Sequence, residues 1–507
     1  MLSRVDSAAV VGVTGQRIHI EVDITQGLPG ITIVGLPDTA VNESKERIRL
    51  GLRNSGIQLP QKRFVVNLAP AEVKKVGTAY DLPIALAIVR ALEDIPLATE
   101  ERIILGELGL DGSVRAIQGV LPMTLFAYQH GTQEIIVPAE NAFEASLVDG
   151  IRVIGVSHIG EALEHLRSDT ETMIPAQPAY QVVPEHHSYE IDMAHVKGQA
   201  LAKRALEIAA AGGHNVLMTG PPGSGKTLLS RTLPTILPAM DKEEVLDVSQ
   251  LYSIAGKLSS DEPLVVKRPF RSPHHTASAT SLIGGGSNPR PGEISLSHRG
   301  VLFLDEFPEF PRAVLESLRQ PLEDRVVTVS RVQGSYTFPA DFMLIAAQNP
   351  CPCGYLTDPD KECTCSQSQI VRYSQKISGP LLDRIDMVIQ VDKVKTEELI
   401  DQQATSEESS ESIRSRVEAA RIRQRDRLKS AGIRTNSEMS VAQIQEYCPL
   451  DESSQHILRQ AVTRMNLSAR AYNRILKLAR TIADLEGADT IQVPHVAEAL
   501  QYRERDS

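Results

Sequence analysis

Tryptophan is absent from this 507-residue chain, and aromatic residues make up only 4% of it. This scarcity argues against a single-stranded nucleic-acid surface built from many stacked aromatic rings. Long apolar runs are also missing, because no stretch approaches the ~18 apolar residues of a membrane-spanning helix. Residues 1–15 lack the apolar segment of a signal peptide. We therefore expect a cytoplasmic protein without membrane contact.

Cysteine is scarce as well. Only five cysteines are present and no export signal accompanies them, which indicates a reducing compartment and no disulfide framework. Four thiols on a short loop can hold a tetrahedral Zn²⁺, although the spacing here is tighter than the usual C-x₂₋₄-C. Two interpretations stay open, a structural zinc site and four reduced thiols. The pattern is C-x-C, nine intervening residues, C-x-C: Cys351, Cys353, Cys363 and Cys365.

Net positive charge is also lacking. The chain has 53 basic and 64 acidic residues, a formal net charge of −11, so any nucleic-acid surface must be local, such as a pore or a patch. Charge changes sign abruptly near residue 412. Residues 396–412 carry six acidic residues and no basic one, which is typical of a solvated hinge, whereas 413–434 carry eight Lys or Arg against two acids and predict a basic helix.

The strongest motif lies at residues 220–227 and fits G-x-x-x-x-G-K-[ST], a phosphate-binding loop. An apolar run precedes it and a helix-forming run follows, so its glycines would bring backbone N–H groups to phosphates at a helix N-terminus. The motif predicts ATP and Mg²⁺ as cofactors, with Lys226 on the β- and γ-phosphates and Thr227 on the metal. A glycine-rich turn with an exposed lysine is the alternative. The motif residues are Gly220, Pro221, Pro222, Gly223, Ser224, Gly225, Lys226 and Thr227.

A second acidic motif ends a buried strand. The apolar run 301–304 is followed directly by Asp305 and Glu306. In open α/β sheets, ligands bind at the carboxyl ends of parallel strands. We therefore expect Asp305 to hold the Mg²⁺ shell and Glu306 to polarise the attacking water as a general base. The alternative is a strand that ends in two solvated acids.

Several segments together resemble the YifB/ComM family of magnesium-chelatase-like AAA+ ATPases over nearly the whole chain. They read RSPHHTAS at 271–278, GGG at 284–286, PRPGEISL at 289–296 and GVLFLDE at 300–306. The resemblance implies an α/β fold with three parts. These are a P-loop AAA+ core (a parallel sheet with helices on both faces), an N-terminal α+β domain like ribosomal S5 domain 2 and the Lon protease domain, and a C-terminal all-α lid. The expected boundaries are 1–168 for the Lon-like domain, 169–189 for a linker, 190–394 for the core, 395–412 for the hinge and 413–507 for the lid.

The same resemblance implies roles for three more residues. Asn349 follows another apolar strand and is placed like the sensor 1 residue, or it is only a turn residue before proline. Arg384, in the segment 378–386, is similar to an arginine finger that reaches the neighbouring subunit's γ-phosphate, or it forms a surface ion pair. Arg470 resembles the sensor 2 arginine that touches the same subunit's γ-phosphate. Arg474 could hold that role instead, or the helix is only an exposed basic one.

The insert at 274–296 is expected from the resemblance to face the pore of a ring. The residues alone, without the resemblance, indicate a flexible surface loop or a metal site at His274 and His275. The N-terminal pieces at 77–87 and 106–114 resemble the Lon-like domain of RadA proteins. Lon needs a serine nucleophile and a lysine base. The serine position aligns with Ala79 and the lysine position falls near Leu121, so we interpret the domain as a protease-dead platform for ring assembly or DNA contact.

The resemblance therefore implies an ATP-driven, homo-hexameric ring motor that acts on single-stranded or branched DNA. Its expected role is helicase activity or branch migration in recombination or natural transformation. A protein-remodelling ATPase or a metal-insertion ATPase like magnesium chelatase is the alternative. A Lon-type protease is disfavoured by Ala79. A further protein partner stays open.

Overall fold

The computed structural model describes residues 2–93, 101–167, 174–180, 189–259, 262–286, 289–331, 334–394 and 407–503. Its N-terminal part is an α+β domain built on a mixed four-stranded sheet of order β1-β2-β4-β3. The core of this domain lies between the sheet and two helices, Thr39–Asn54 and Asp81–Glu93. The strands are β1 Ser3–Val11, β2 Thr14–Thr25, β3 Gly30–Val34 and β4 Arg63–Ala69.

A second layer of the same domain is a parallel three-stranded sheet of order β5-β8-β9, accompanied by the short hairpin β6–β7. The elements are β5 Arg102–Ile104, β6 Glu107–Leu108, β7 Val114–Arg115, β8 Glu134–Pro138 and β9 Arg152–Val156, with helices Val120–Gln129, Ala142–Ala145 and Ile159–Arg167.

The predicted nucleotide core, residues 190–394, is built on a five-stranded sheet in which all strands are parallel. The strand order is β11-β14-β17-β10-β18. Alternate residues of its strands enter two different apolar clusters. Val216 and Met218 of β10 pack in one, and Leu217 packs in the other. The sheet is therefore buried on both faces, which is why its strands read as continuous apolar runs. The strands are β10 Val216–Thr219, β11 Phe270–Arg271, β14 Val301–Leu304, β17 Met343–Gln348 and β18 Met387–Gln390.

Helices and two small hairpins surround this sheet. One hairpin pairs β12 (Gly284–Gly285) with β13 (Arg290–Pro291), and the other pairs β15 (Val326–Arg331) with β16 (Gly334–Pro339). The helices are Ala200–Gly212, Lys226–Ile236, Lys242–Ala255, Ala279–Ile283, Glu293–Leu296, Arg312–Ser317, Arg319–Asp324, Gln367–Ser374 and Gly379–Leu382. The expected P-loop core with helices on both faces is confirmed.

The C-terminal part is all helical, as expected for the lid, and shares an apolar cluster with the sheet. The acidic hinge at 395–412 lies mostly outside the described residues, and four of the six residues in its described part, 407–412, are exposed. Glu407 is an exception. Glu407 accepts hydrogen bonds from Lys203 (2.5 Å) and from the Gly198 N–H (2.8 Å). The helices are Ser410–Leu428, Val441–Tyr447, Glu452–Arg464, Ala469–Glu486 and Val493–Gln501.

The predicted basic helix is present as Ser410–Leu428, but most of its arginines bind within the chain. Five of them donate hydrogen bonds to the nucleotide core or to the lid helix Ala469–Glu486. Their charge therefore stabilises the docking of the lid, and this helix offers less free positive surface than its composition predicts. The pairs are Arg414 with the Thr235 carbonyl, Arg416 with Glu207, Arg421 with the Ala210 carbonyl, and Arg423 and Arg427 with Asp484.

The predicted linker at 169–189 is described at 174–180 and at residue 189. The Tyr180 N–H donates to the Ser146 carbonyl (3.0 Å), and the Tyr180 ring lies 4.8 Å from that of Phe143. The stretch 174–180 therefore packs on the N-terminal domain. Sequence does not reveal this contact, because the partner surface is remote along the chain.

The N-terminal domain docks directly onto the nucleotide core. Helix Val120–Gln129 packs on helix Lys242–Ala255, and Ser253 Oγ donates to Glu144 Oε1 at 2.5 Å. Burial raises the pKa of Glu144, against the hydrogen bonds that its carboxylate accepts. Across the described ranges, no helix has the length and apolar character needed to cross a membrane.

Candidate nucleotide site

Three of the predicted site segments meet at one edge of the parallel sheet. The phosphate-loop motif follows β10, Asp305 and Glu306 follow β14, and Asn349 follows β17. Because β17 lies between β10 and β14, Asn349 emerges between the glycine-rich loop and the acidic pair. Carboxyl ends of parallel strands share an edge, so residues far apart in sequence form one site.

The phosphate-loop motif forms a loop that opens helix Lys226–Ile236. Gly225 has a φ of +90°, a left-handed conformation that favours glycine, and it has no side chain to cap the helix. The first N–H groups of the helix are therefore available to an anion at its N-terminus. The Lys226 ammonium lies inside the loop and donates to the carbonyls of Gly220 (2.8 Å) and Pro221 (2.9 Å). Burial lowers the pKa of Lys226, and the Asp305 carboxylate opposes that effect.

Thr227 and Asp305 supply the oxygen atoms that a magnesium ion would use. Thr227 Oγ1 donates to Asp305 Oδ2 at 2.8 Å, and Asp305 Oδ1 accepts the Glu306 N–H at 2.9 Å. A hydroxyl and a carboxylate this close fit Mg²⁺, which takes hard oxygen ligands and completes its shell with water and substrate phosphates. The residue pair is therefore chemically suited to the predicted metal.

Glu306 has a partner that sequence reasoning missed. Its backbone adopts φ +52°, which is uncommon outside glycine, and its half-exposed carboxylate lies 2.9 Å from His275 Nδ1. The His275 ring packs against the His274 ring in a tilted arrangement, with 4.1 Å between the ring centroids, and it meets Phe310 edge-on at 6.5 Å. His275 therefore holds the carboxylate of the predicted general base. The double-histidine motif was the available signal, but its partner is remote in sequence.

The histidine pair is not part of a metal cluster among the described residues, where the four-cysteine group is the only set of three or more candidate ligands. His274 Nδ1 instead contacts Thr276 Oγ1 at 2.9 Å. The alternative of a metal at these two histidines thus finds no further ligand in the described part of the chain.

Replacing His275 with alanine is expected to raise ATP turnover without DNA, because the Glu306 carboxylate no longer contacts the His275 imidazole. An exposed pair of this kind contributes up to about 1 kcal/mol, so the gain should reach up to about fivefold. Steady-state phosphate release measures it. His274→Ala is the matched control, since His274 contacts Thr276 and not the carboxylate. Equal turnover in both variants would contradict a positioning role for His275.

The predicted arginine finger lies at the opposite edge of the sheet. Asn215, which precedes β10, donates from Nδ2 to the Arg384 carbonyl at 3.1 Å, whereas the phosphate loop follows β10. Four strand residues at ~3.3 Å each separate the two edges by roughly 13 Å. Arg384 therefore lies away from the phosphate loop of its own chain. Its side chain donates to the Pro380 carbonyl (2.6 Å) and pairs with Glu323, and it is 14% exposed.

Arg470 and Arg474 lie at this same far edge. Arg470 is 63% exposed and has Asp383 at 3.9 Å, and Arg474 is more buried, contacts Asp383 at 3.5 Å and donates to the Leu382 and Ile385 carbonyls. Burial lowers the pKa of Arg474. The structure thus places Arg470 beside Asp383 and away from its own phosphate loop, and a role at the γ-phosphate stays a prediction. The lid helix packs beside the segment 378–386, which sequence spacing does not reveal.

The four clustered cysteines converge directly after Asn349. Their sulfur atoms all lie within 4.8 Å of one another, and all are free thiols. N–H groups of Tyr355 and Thr364 lower the pKa of Cys353 to about 6. The fifth cysteine, Cys448, is buried and lies outside the cluster, and burial raises the pKa of its thiol to about 12.

Family models and relatives cover nearly all of this chain. The model for magnesium chelatase, subunit ChlI, matches residues 192–399, a second ChlI model matches 20–141 and the ChlI C-terminal model matches 407–503. The chain is 40% identical over 506 residues to YifB of Salmonella typhimurium, covering 100% of this chain and 97% of that protein. It is 40% identical over 504 residues to competence protein ComM of Haemophilus influenzae, covering 99% and 97%. This chain belongs to the YifB/ComM family.

The similarity to RadA is shorter. DNA repair protein RadA of Escherichia coli is 29% identical over 146 residues, which covers 26% of this YifB/ComM chain and 31% of RadA. In the Lon-like domain, Ala79 lines a cavity of about 860 Å³ between this domain and the core, whereas Leu121 is fully buried and lies outside the cavity lining. Neither residue can supply a nucleophile or a base.

The insert at 274–296 is held at its C-terminal end by contacts of Glu293 and Arg290. Arg271 pairs with Glu293 at 2.5 Å, and Arg290 of β13 donates to Gln118 of the N-terminal domain at 3.0 Å. The hairpin β15–β16, which sequence analysis missed, lies beside it, because Arg331 closely approaches Gly285. Alternating β-branched residues in VVTVSR were the available signal.

Proposed function

We propose that this protein is an ATP-hydrolysing AAA+ motor that assembles as a homo-hexameric ring and acts on DNA. Lys226 and the loop N–H groups would bind the phosphates, Thr227 and Asp305 would hold Mg²⁺, and Glu306 and Asn349 would orient the attacking water. When bound, Mg²⁺ neutralises charge on the phosphates. The proposal includes one structural Zn²⁺ at the four clustered cysteines.

One observation supports the proposed ring assembly. The loop, Asp305, Glu306 and Asn349 occupy the carboxyl edge of the sheet, whereas Arg384 and Arg470 occupy the opposite edge. In a single subunit, the nucleotide site therefore lacks Arg384 and Arg470. These two arginines lie at the other edge, where the subunit has no nucleotide site. A second copy placed edge to edge supplies what the first lacks, and repeated head-to-tail contacts of this kind close into a ring. We assign both arginines to the neighbour's site.

The DNA half of the proposal rests on other support. The relative from H. influenzae is named a competence protein, and RadA is named a DNA repair protein. The adjacent hairpins β12–β13 and β15–β16 carry Arg290 and Arg331, which are exposed in a protein of net negative charge. A local basic element is what such a protein needs to hold a phosphate backbone.

ATP turnover with and without DNA tests this function. We expect single-stranded or four-way DNA to stimulate phosphate release, with stimulation that falls as salt is raised, since phosphate contacts release counterions. The same preparation should move the branch of a labelled four-way junction. Arg331→Ala should reduce stimulation while leaving turnover without DNA unchanged, and Arg167→Ala is the control outside the core. No response to any DNA would remove this half of the proposal.

A protein-remodelling or metal-insertion ATPase is the second candidate, favoured by the match of all three parts to magnesium chelatase models. Unfolding of a tagged protein, or a tetrapyrrole-dependent stimulation of turnover, would support it over DNA.

A further inference from the structure

The cysteine loop needs something to order it. Residues 351–365 contain no helix or strand, and of these residues only Cys351 and Gly354 are buried. An irregular segment of this length with little buried apolar surface offsets little of its conformational entropy by burial, so a cross-link or a metal would stabilise it. The four converging thiols are the chemical groups that can provide one.

The sulfur positions match a metal site and not disulfides. Cys351 Sγ lies 3.4 Å from Cys353 Sγ and 3.7 Å from Cys363 Sγ, and Cys353 Sγ lies 3.6 Å from Cys363 Sγ. A tetrahedral ion with Zn–S bonds of ~2.3 Å separates its sulfur ligands by about 3.8 Å. A disulfide would require ~2.05 Å. The thiols therefore stand near the corners of a zinc tetrahedron.

The loop also touches the nucleotide site. The Gly354 N–H donates to the Cys351 carbonyl (3.0 Å), and a Cβ at Gly354, whose φ is +86°, would lie 2.7 Å from Cγ and Cδ of Pro222 in the phosphate loop. On its other side, Lys393, which follows β18, donates to Asp360 of the loop at 2.6 Å. The loop thus joins the ends of β17, β10 and β18.

We infer that Cys351, Cys353, Cys363 and Cys365 bind one Zn²⁺. The resulting zinc loop, residues 351–365, holds Asn349 and the phosphate loop in fixed positions relative to each other. The metal site stands on its own geometry, whereas the effect on turnover rests on the proposed ATPase function. A displacement of about 1 Å at a catalytic group can cost ~100-fold in rate. The positioning of Asn349 by the zinc loop is therefore sufficient to control hydrolysis.

Metal content tests the first half. Protein purified with reductant and without chelator is expected to contain one zinc per chain by elemental analysis. Cobalt substitution should give the ligand-field and sulfur charge-transfer bands of tetrahedral thiolate coordination. Cys363→Ser/Cys365→Ser should lose the metal, and Cys448→Ala, which removes the thiol outside the cluster, should keep it. A metal-free wild-type protein that does not take up Zn²⁺ or Co²⁺ would overturn the site.

The Gly354→Ala variant tests the second half. Its new Cβ meets Pro222, so turnover should fall at least ~10-fold while zinc content stays at one per chain. Gly432→Ala is the control, because Gly432 has a similar φ of +66° and no atom within 4 Å of an added Cβ. Full turnover in Gly354→Ala, or in zinc-free wild type, would overturn the positioning role of the zinc loop and would leave the ATPase proposal unaffected. A wild type with no turnover would fail the ATPase proposal, yet the zinc measurement would still stand.

Discussion

Lys226→Ala is expected to abolish ATP turnover, with a fall of at least ~100-fold in phosphate release. Lys226 is the only described cation inside the phosphate loop, and without it the charge on the β- and γ-phosphates has no side-chain partner there. Binding of a fluorescent ATP analogue should weaken in parallel. The fold should survive, because Lys226 donates to loop carbonyls that water can satisfy.

Lys429→Ala is the matched control for that experiment. Lys429 is exposed and follows the lid helix Ser410–Leu428, at a distance from the nucleotide site. Its turnover and thermal unfolding should equal those of wild type. Normal hydrolysis in Lys226→Ala would contradict the assignment of the site itself.

Arg384→Ala is expected to lower the maximal turnover by about 10³- to 10⁵-fold, the range measured for arginine fingers, and to spare nucleotide binding. The reason is positional, since Arg384 lies at the edge of the sheet opposite its own phosphate loop. In the isolated chain it pairs with Glu323, so the finger must leave this partner to reach a neighbouring subunit. Turnover and analogue affinity, measured separately, distinguish loss of chemistry from loss of binding.

Mixing experiments decide whether the site is shared between subunits. In a mixture of Arg384→Ala and Lys226→Ala chains, some interfaces combine an intact loop with an intact finger, so partial activity should return. Arg319→Ala, an exposed arginine paired with Glu316, is the control and should behave as wild type. A complete absence of rescue, or a protein that stays monomeric with saturating non-hydrolysable ATP analogue and Mg²⁺, would contradict the ring.

The nucleotide half of the site was accessible from sequence because each of its signals is local. An apolar run that ends in a polar residue marks the end of a buried parallel strand, and β10, β14 and β17 end where those runs end. The glycine spacing of the phosphate loop is likewise contained within a few residues. Parallel strands bring such ends to one edge, so the site could be assembled without coordinates.

Other expectations depended on contacts between distant residues. Composition predicted a basic helix at 413–434, and a linker was expected at 169–189. Most arginines of that helix bind within the chain, and residues 174–180 pack on the N-terminal domain. Composition reports how polar a segment is and not which surface covers it. The contact between His275 and Glu306 was missed for the same reason, since 31 positions separate the two residues.

The sequence by itself determined the parallel-sheet core, the phosphate loop, the acidic pair and the four-cysteine pattern, since each depends on neighbouring residues and backbone geometry. Only the tertiary structure decided that Arg384 and Arg470 lie at the edge opposite the phosphate loop, and that the cysteine loop rests on Pro222. Those facts depend on strand order and on how the lid packs, which long-range burial selects and no short stretch of sequence encodes.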